Sequence, residues 1–353
     1  MDKLVSTPKA NLVYWYGLDE MPEDGGGLRA IAWYKALNEL GFETTIHRLR
    51  SVGSGVQNLS YLRSLKKALV PMPLETRLDG LTSAELNVIT VPSVFRSAAR
   101  TLPLSSLVFD WMDLWSVNAR TMGQSSFVSR PGGLIQSNFW SSRQRTLVRL
   151  PMANTFAGFD DRSSMGAGMD GLNYWIPTPI SAPTLARKYP SAGRTRVGFI
   201  GNFAYPPNVM SLRSFFTKFN SNILDHQVEI VVAGFGSEVV KQWNVPATVV
   251  GHVASLSDFY NSIDAAIVPI DHGGGIKAKA VEAMAYGVPI FGTPHVSSGF
   301  APEWAPYISG LENLFVNPTI FPPSPPRDEF ENQFSQMAFT DTVRQMLVSA
   351  GKL

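Results

Sequence analysis

The chain has 353 residues, 44% of them apolar and 16% charged, with a formal net charge of +2. That length exceeds one ordinary core and suits two domains of about 150 to 200 residues each, while the composition excludes disordered and fibrous classes. The near-neutral balance offers no dense basic stripe for a nucleic-acid backbone, and the lack of cysteine excludes disulfides and thiolate chemistry, which fits a cytoplasmic setting.

The opening residues MDKLVSTPKANLVYWYG lack the long apolar core of a signal peptide. No stretch approaches the roughly 20 apolar residues of a spanning helix, so membrane contact is expected to be peripheral at most. Residues 11–16 read as a strand, GLDEMPEDGGG as a glycine-ended loop, 28–41 as a helix and 43–47 as a second strand. Strand, loop, helix and strand in that order open a doubly wound sheet. Gly25, Gly26 and Gly27, with Arg29 behind them, either face a cleft and approach a phosphate or an acceptor, or form a plain tight turn.

Short apolar runs at 86–91 and 106–109 continue the alternation, the second leading into Asp110-Trp111-Met112-Asp113-Leu114-Trp115. Ligands sit beyond the carboxyl ends of parallel strands, which makes this acidic and aromatic segment a candidate cleft wall. Trp111 and Trp115 either stack on a sugar or fill the core. Residues 120–170 show no clear period, and MGAGMDGLN (165–173) reads as a loop. The prolines in YWIPTP (174–179) forbid helix and disfavour central strand pairing, so a domain boundary is placed there.

A second alternation follows, with strands at 196–200, 228–233, 248–250, 265–269 and 289–292 and helices at 208–219, 255–262 and 276–286, the last stopping at Gly287. Prolines 322, 323, 325 and 326 read as a stiff linker, and 329–350 as a terminal helix or helix pair. The expected domains are 1–175, 176–325 and a helical segment 326–353 that crosses back to the first.

The segment PIDHGGGIKAKAVEAMAYGVPIFGTP (269–294) carries the chemistry. Gly273, Gly274 and Gly275 stand between a strand and a helix, where unpaired N–H groups can approach an anion with no Cβ in the way. Lys277 and Lys279 lie in the first helical turn, where a positive charge opposes the helix dipole unless an anion offsets it. A diphosphate meets that need. Glu282 follows on the same face and can accept hydrogen bonds from ribose hydroxyls. The blander reading is a plain turn followed by a solvated Lys–Glu pair.

From about residue 196 to 300 the chain resembles the carboxyl-terminal lobe of the GT-B glycosyltransferases called group 1, through GFIGNFAYPPNVMSL, VVAGFG, VVGHVASLSDFYNSIDAAIVPI and GGGIKAKAVEAMAYGVPIFGTP. The amino-terminal half is similar in plan through DGGGLRAIAWYKALNELGFETTIH. The resemblance implies an α/β protein of two Rossmann-like doubly wound domains facing each other across a cleft, the second holding the nucleotide and the first the acceptor. It implies a retaining hexosyltransferase moving sugar from a nucleotide diphosphate donor, UDP-sugar ahead of GDP- or TDP-sugar, to a hydroxyl acceptor in polysaccharide or glycoconjugate synthesis. The acceptor is a glycan, a lipid-linked glycan or a small molecule.

The candidate donor contacts are Gly25 to Gly27, Gly201, Asn202, Gly273 to Gly275, Ile276, Lys277, Lys279 and Glu282, and the resemblance implies that Glu282 holds the ribose. His252 is either a donor-base contact or a core histidine. Glu282 matches the second glutamate of the family's Glu-x7-Glu motif, and the chain departs from the first, which falls at Gly274. The family's Arg and Lys pair is missing from 201–208, which leaves Lys277 and Lys279 to stabilise the leaving group. No metal is required when lysines and a helix N-terminus supply that charge, and the five histidines are scattered with no Asp-x-Asp pair. An inverting enzyme would need a base, for which Asp110 or Asp113 is the candidate, the other reading of both being strand-end capping. The competing classes are a binding protein that has lost catalysis and an enzyme that glycosylates hydroxylated bases in DNA.

Overall fold

The computed structural model describes residues 7–22, 24–49, 74–78, 80–124, 129–166, 172–181, 194–225 and 228–353. The chain divides into two compact units: Met1–Pro179 with Gly273–Ile276 and Gln333–Leu353, and Ile180–His272 with Lys277–Asn332. Among the described residues each unit is built on a parallel six-stranded sheet.

In the first unit the strands are β1 (Lys9–Tyr14), β2 (Glu43–Arg48), β3 (Leu86–Ile89), β4 (Leu107–Trp111), β5 (Ala153–Phe156) and β6 (Asn173–Trp175). They lie in the order β2-β1-β3-β4-β5-β6. Every residue of β3, β4 and β5 is buried, whereas the edge strand β2 alternates in exposure. That contrast follows from a sheet covered on both faces, where inner strands read as unbroken apolar runs. Successive side chains feed two cores. Leu107, Phe109 and Trp111 pack with Phe95, Trp115 and Trp140 on one face, while Val108 joins Leu12, Trp33 and Phe339 on the other.

The helix Gly25–Glu39 and the terminal helix Gln336–Ser349 cover that second face. Trp33 and Phe339 meet edge to face at 5.4 Å, and Thr340 Oγ1 donates to Glu39 Oε2 at 2.7 Å. Two helices, Trp115–Gln124 and Arg130–Leu147, occupy part of the stretch that had no readable period. They touch where a Cβ on either Gly123 or Gly133 would stand 2.5–2.6 Å from the other's Cα, a closeness set by packing rather than by any local signal.

Three sequence expectations change. Tyr174 and Trp175 do not cross between domains but complete the first sheet as β6, whose edge position tolerates the prolines that follow. Met165 and Gly166 end the helix Phe159–Gly166, and the rest of the supposed loop, 167–171, lies outside the described residues. Gly25, Gly26 and Gly27 are the first turn of a helix, and the Gly27 N–H is capped by Asp24 Oδ1 at 2.9 Å. A Cβ on Gly26 would meet the Tyr14 hydroxyl at 2.6 Å.

The second unit holds β7 (Thr195–Ile200), β8 (Val228–Ala233), β9 (Ala247–Gly251), β10 (Ala265–Val268), β11 (Ile290–Gly292) and β12 (Ile308–Gly310), in the order β12-β11-β10-β7-β8-β9. The helix Pro206–Asp225 lays Leu212, Phe215, Phe216 and Phe219 against Val197, Phe199, Ile230 and Ile267 of this sheet. The doubly wound plan expected from the sequence holds in both units. Among the described residues no helix is long and apolar enough to cross a membrane.

Arg29 and Asp110 form the central polar contact of the first unit, with side-chain exposures of 1% and 0%. Arg29 Nε donates to Asp110 Oδ2 at 2.9 Å and its NH2 group to Oδ1 at 2.6 Å, while NH1 reaches the Ile176 carbonyl at 2.7 Å. Thr155 Oγ1 adds a bond to Asp110 Oδ1 at 2.6 Å, and the guanidinium lies 5.7 Å from the Phe339 ring. Arg29 therefore does not face a cleft. Removing one member of such a pair strands a buried charge, so Asp110→Ala is expected to cost about 3–5 kcal/mol in urea unfolding, and Arg29→Met with Asp110→Leu much less.

Candidate functional site

In the second sheet the chain runs from β7 through β8 to β9 on one side and through β10, β11 and β12 on the other, so the strand order reverses between β7 and β10. A ligand in a parallel doubly wound sheet sits beyond the carboxyl ends of the strands at that reversal. The residues delivered there are Gly201, directly after β7, and those of helix Ala278–Ala285, which follows β10.

Lys279 reaches back across the reversal. Its ammonium lies 5.9 Å from the centroid of Phe199 on β7, and a Cβ on Gly201 would stand 3.0 Å from Lys279 Cε and 3.2 Å from Asn208 Nδ2. Glycine at 201 thus leaves room for the lysine stem. Gly234, at φ +110°, brings β8 so close that any Cβ would strike the Gly201 carbonyl.

Glu282 shares the helix face of Lys279, and burial acts on both charges. Desolvation lowers the Lys279 ammonium from its ordinary value against the attraction of Glu282. It raises the Glu282 carboxyl against the opposing effects of the Tyr260 hydroxyl and Lys279. Tyr260 is 3% exposed and stacks on Tyr286 with centroids 4.6 Å apart. Burial, then the nearby Glu282 carboxylate, pushes its phenol well above the usual range, so it stays protonated. Glu282 Oε1 is buried with no hydrogen-bond partner among the described residues. Such an orphaned acceptor costs about 1–3 kcal/mol, which a hydroxyl-bearing ligand can recover.

Lys277 is the N-cap residue of this helix and is only 8% exposed. Its side chain, having no acceptor, provides no cap, and its carbonyl accepts from the Ala280 N–H at 2.8 Å. The helix begins at Ala278 rather than at Ile276, which is half-buried in the preceding loop. Asn202 closes its own turn, with Oδ1 accepting from the Ala204 N–H at 2.8 Å. His252 follows Gly251 and is exposed, so it is no core histidine.

The glycine loop Gly273–Ile276 packs within the first unit. The Gly274 N–H donates to Asn118 Oδ1 at 3.1 Å and the Gly275 N–H to Asp161 Oδ2 at 2.6 Å. A Cβ on Gly274 would stand 2.6 Å from the Leu114 nitrogen, and one on Gly275 2.6 Å from the Met112 carbonyl. Two of the amides expected to hold a diphosphate are therefore given to side chains of the protein itself, and close packing accounts for the glycines. The half-buried Asp113 lies alongside, its Cβ 3.1 Å from the position of a Gly274 Cβ.

Asp110 is neither an accessible base nor a strand-end cap, since it lies inside β4 and is saturated by Arg29 and Thr155. Trp111 is fully buried and donates to Asn154 Oδ1 at 3.0 Å, and Trp115 is 6% exposed and stacked on Trp15, so both belong to the core. Sequence reasoning missed Tyr260, Asn118 and Asp161. None stands in a motif that announces its partner. Among the described residues no group of three or more acidic or histidine side chains could hold a metal.

Residues 194–318, the body of the second unit, match the family model described as Glycosyl transferases group 1. Over those residues the second unit is similar to the group 1 glycosyltransferases. Among curated proteins no sequence match is found. Solved structures support the two-domain GT-B fold over nearly the whole length of the chain. A UDP-forming α,α-trehalose-phosphate synthase from Burkholderia xenovorans is similar at 12% identity and TM-score 0.59, covering 98% of this chain and 99% of that one. Anabaena HepE in complex with UDP and glucose is similar at 13% identity and TM-score 0.55, covering 97% and 100%. The chain also matches TarM over 74% of its own length at 12% identity and TM-score 0.48, but spans only 54% of that longer protein.

A methyl group on Gly201 would push against both Lys279 and Asn208. Gly201→Ala in the glycosyltransferase is expected to lower turnover by about tenfold through displacement of the ammonium. Thermal unfolding of the same variant should show a much smaller change.

Proposed function

We propose that the second unit binds a uridine diphosphate sugar at the β7/β10 reversal and that the enzyme transfers the sugar to a hydroxyl of a carbohydrate acceptor. One observation carries the reading: a half-buried lysine and glutamate on one helix face, the lysine stem passing beside Gly201, with the buried Glu282 Oε1 unpartnered among the described residues. Uridine is favoured over other bases because HepE is described in complex with UDP and the trehalose-phosphate synthase as UDP-forming.

Lys279 stabilises the diphosphate as the glycosidic oxygen takes on charge, a contribution magnified where water is excluded. The start of helix Ala278–Ala285 adds its dipole, and Lys277 supports it from the N-cap position. Glu282 accepts from the ribose hydroxyls, and the exposed His252 is the contact for the base. Retention of configuration is the assigned outcome, with the leaving phosphate drawing the acceptor proton. Should transfer invert, Asp113 is the remaining carboxylate of the two considered, because Asp110 is consumed by Arg29.

Lys279→Ala is expected to lower kcat by about 100-fold or more, measured with UDP-glucose as a trial donor. The pH profile gives a second check. The charged form is needed and burial lowers the ammonium, so kcat should fall as pH rises through a value below that of an ordinary lysine. Lys279→Arg should remove this alkaline limb, since a guanidinium does not deprotonate in that range. Near-normal turnover in Lys279→Ala would take the residue out of the mechanism.

A further inference from the structure

Phe235 is 64% exposed although Ala233 and Gly234 just before it are buried, and its phenyl ring has no polar atom to gain from water. It stands past the end of β8 between two left-handed glycines, Gly234 at φ +110° and Gly236 at φ +73°. Such a pair makes a sharp turn that only glycine adopts freely, and the ring at its tip is left outside the core. Backbone bonds hold the turn on both sides. The Phe203 N–H donates to the Phe235 carbonyl at 2.8 Å, which joins it to the turn after β7, where the Lys279 stem passes Gly201. The Gly234 N–H donates to the Gly251 carbonyl at 2.8 Å, which joins it to the end of β9, where the exposed His252 follows. Along the carboxyl edge of the second sheet the order is therefore Lys279 beside β7, Phe235 after β8 and His252 after β9. Neighbouring strands lie about 4.8 Å apart, so the edge from β7 to β9 measures roughly 10 Å. A nucleoside diphosphate laid along it with its phosphates at Lys279 carries its base to Phe235 and His252.

We propose that Phe235 is the stacking platform for the nucleobase of the donor. The proposal rests on the nucleotide-sugar reading above and adds the side chain that receives the face of the base. Stacking of a base on an aromatic ring strengthens binding by roughly 5- to 150-fold. A ring held on a hydrogen-bonded turn has little freedom left to lose when the ligand arrives, which keeps that gain. Every base has a π face, so Phe235 adds affinity for nucleotides in general, and discrimination among bases falls to groups at the base edge, His252 among them. A side chain this exposed contributes little to the core, so truncating it should leave folding nearly unchanged.

The test is calorimetric titration of the full chain with uridine diphosphate and with inorganic pyrophosphate, which has no base, in the wild type, Phe235→Ala and Phe235→Trp. Thermal unfolding without ligand checks that each variant is folded. Phe235→Ala is expected to bind uridine diphosphate about tenfold more weakly and pyrophosphate as the wild type does. Phe235→Trp should restore nucleotide binding and show a fluorescence change on adding uridine diphosphate that pyrophosphate does not produce and the wild type lacks. Undiminished nucleotide binding by Phe235→Ala would overturn the stacking role. So would an equal loss for both ligands, which marks a disturbed phosphate site, or a tryptophan at 235 whose emission ignores the nucleotide. The nucleotide reading fails separately, in the wild type alone, if uridine diphosphate binds no more tightly than pyrophosphate.

Discussion

Taking a charge out of water is the costliest act in this fold, and the way each unit meets that cost separates structure from function. In the first unit Arg29 and Asp110 are withdrawn completely and saturate each other, with Thr155 and the Ile176 carbonyl taking the remaining valences. Nothing is left over for a ligand. In the second unit Lys279 and Glu282 are only half-buried, and the pair leaves one buried carboxylate oxygen without a donor among the described residues. The saturated pair joins the helix Gly25–Glu39 to the sheet, and the unsaturated pair marks the site.

Glycine divides along similar lines. Gly201 lets the Lys279 stem pass, so its lack of a Cβ serves the site directly, and Gly234 lets β8 close on the Gly201 backbone. Gly274 and Gly275 are required for a different reason. Their amides meet Asn118 and Asp161 while the backbone touches 112–114, where any side chain would collide. A glycine run before a helix is compatible with both uses, and only the partners tell them apart.

Much of this was legible beforehand. The alternating strands and helices, the helix ending at Gly287 and the placement of Lys279 and Glu282 on one face all depend on residues a few positions apart. The misreadings have a common cause. YWIPTP looked like a crossing segment because its prolines were weighed without knowing that Tyr174 and Trp175 would pair with β5 at a sheet edge. Arg29 looked cleft-facing because its partner, Asp110, is 81 positions away. Residues 120–170 hide helices that meet where Gly123 approaches Gly133 and where Trp115 meets Trp140, pairs too few and too far apart in sequence to show a period.

What the amino-acid order determined alone was the doubly wound plan, the family resemblance of residues 196–300 and the identity of the charged helix after β10, since each is written in local period and spacing. Tertiary structure decided which charges are silent, which glycine amides are taken, and that Tyr260 and Tyr286 stack beside the charged helix. Those outcomes hinge on strand order and helix packing, which bring together side chains with no short-range relation, and no local pattern encodes the distance between them.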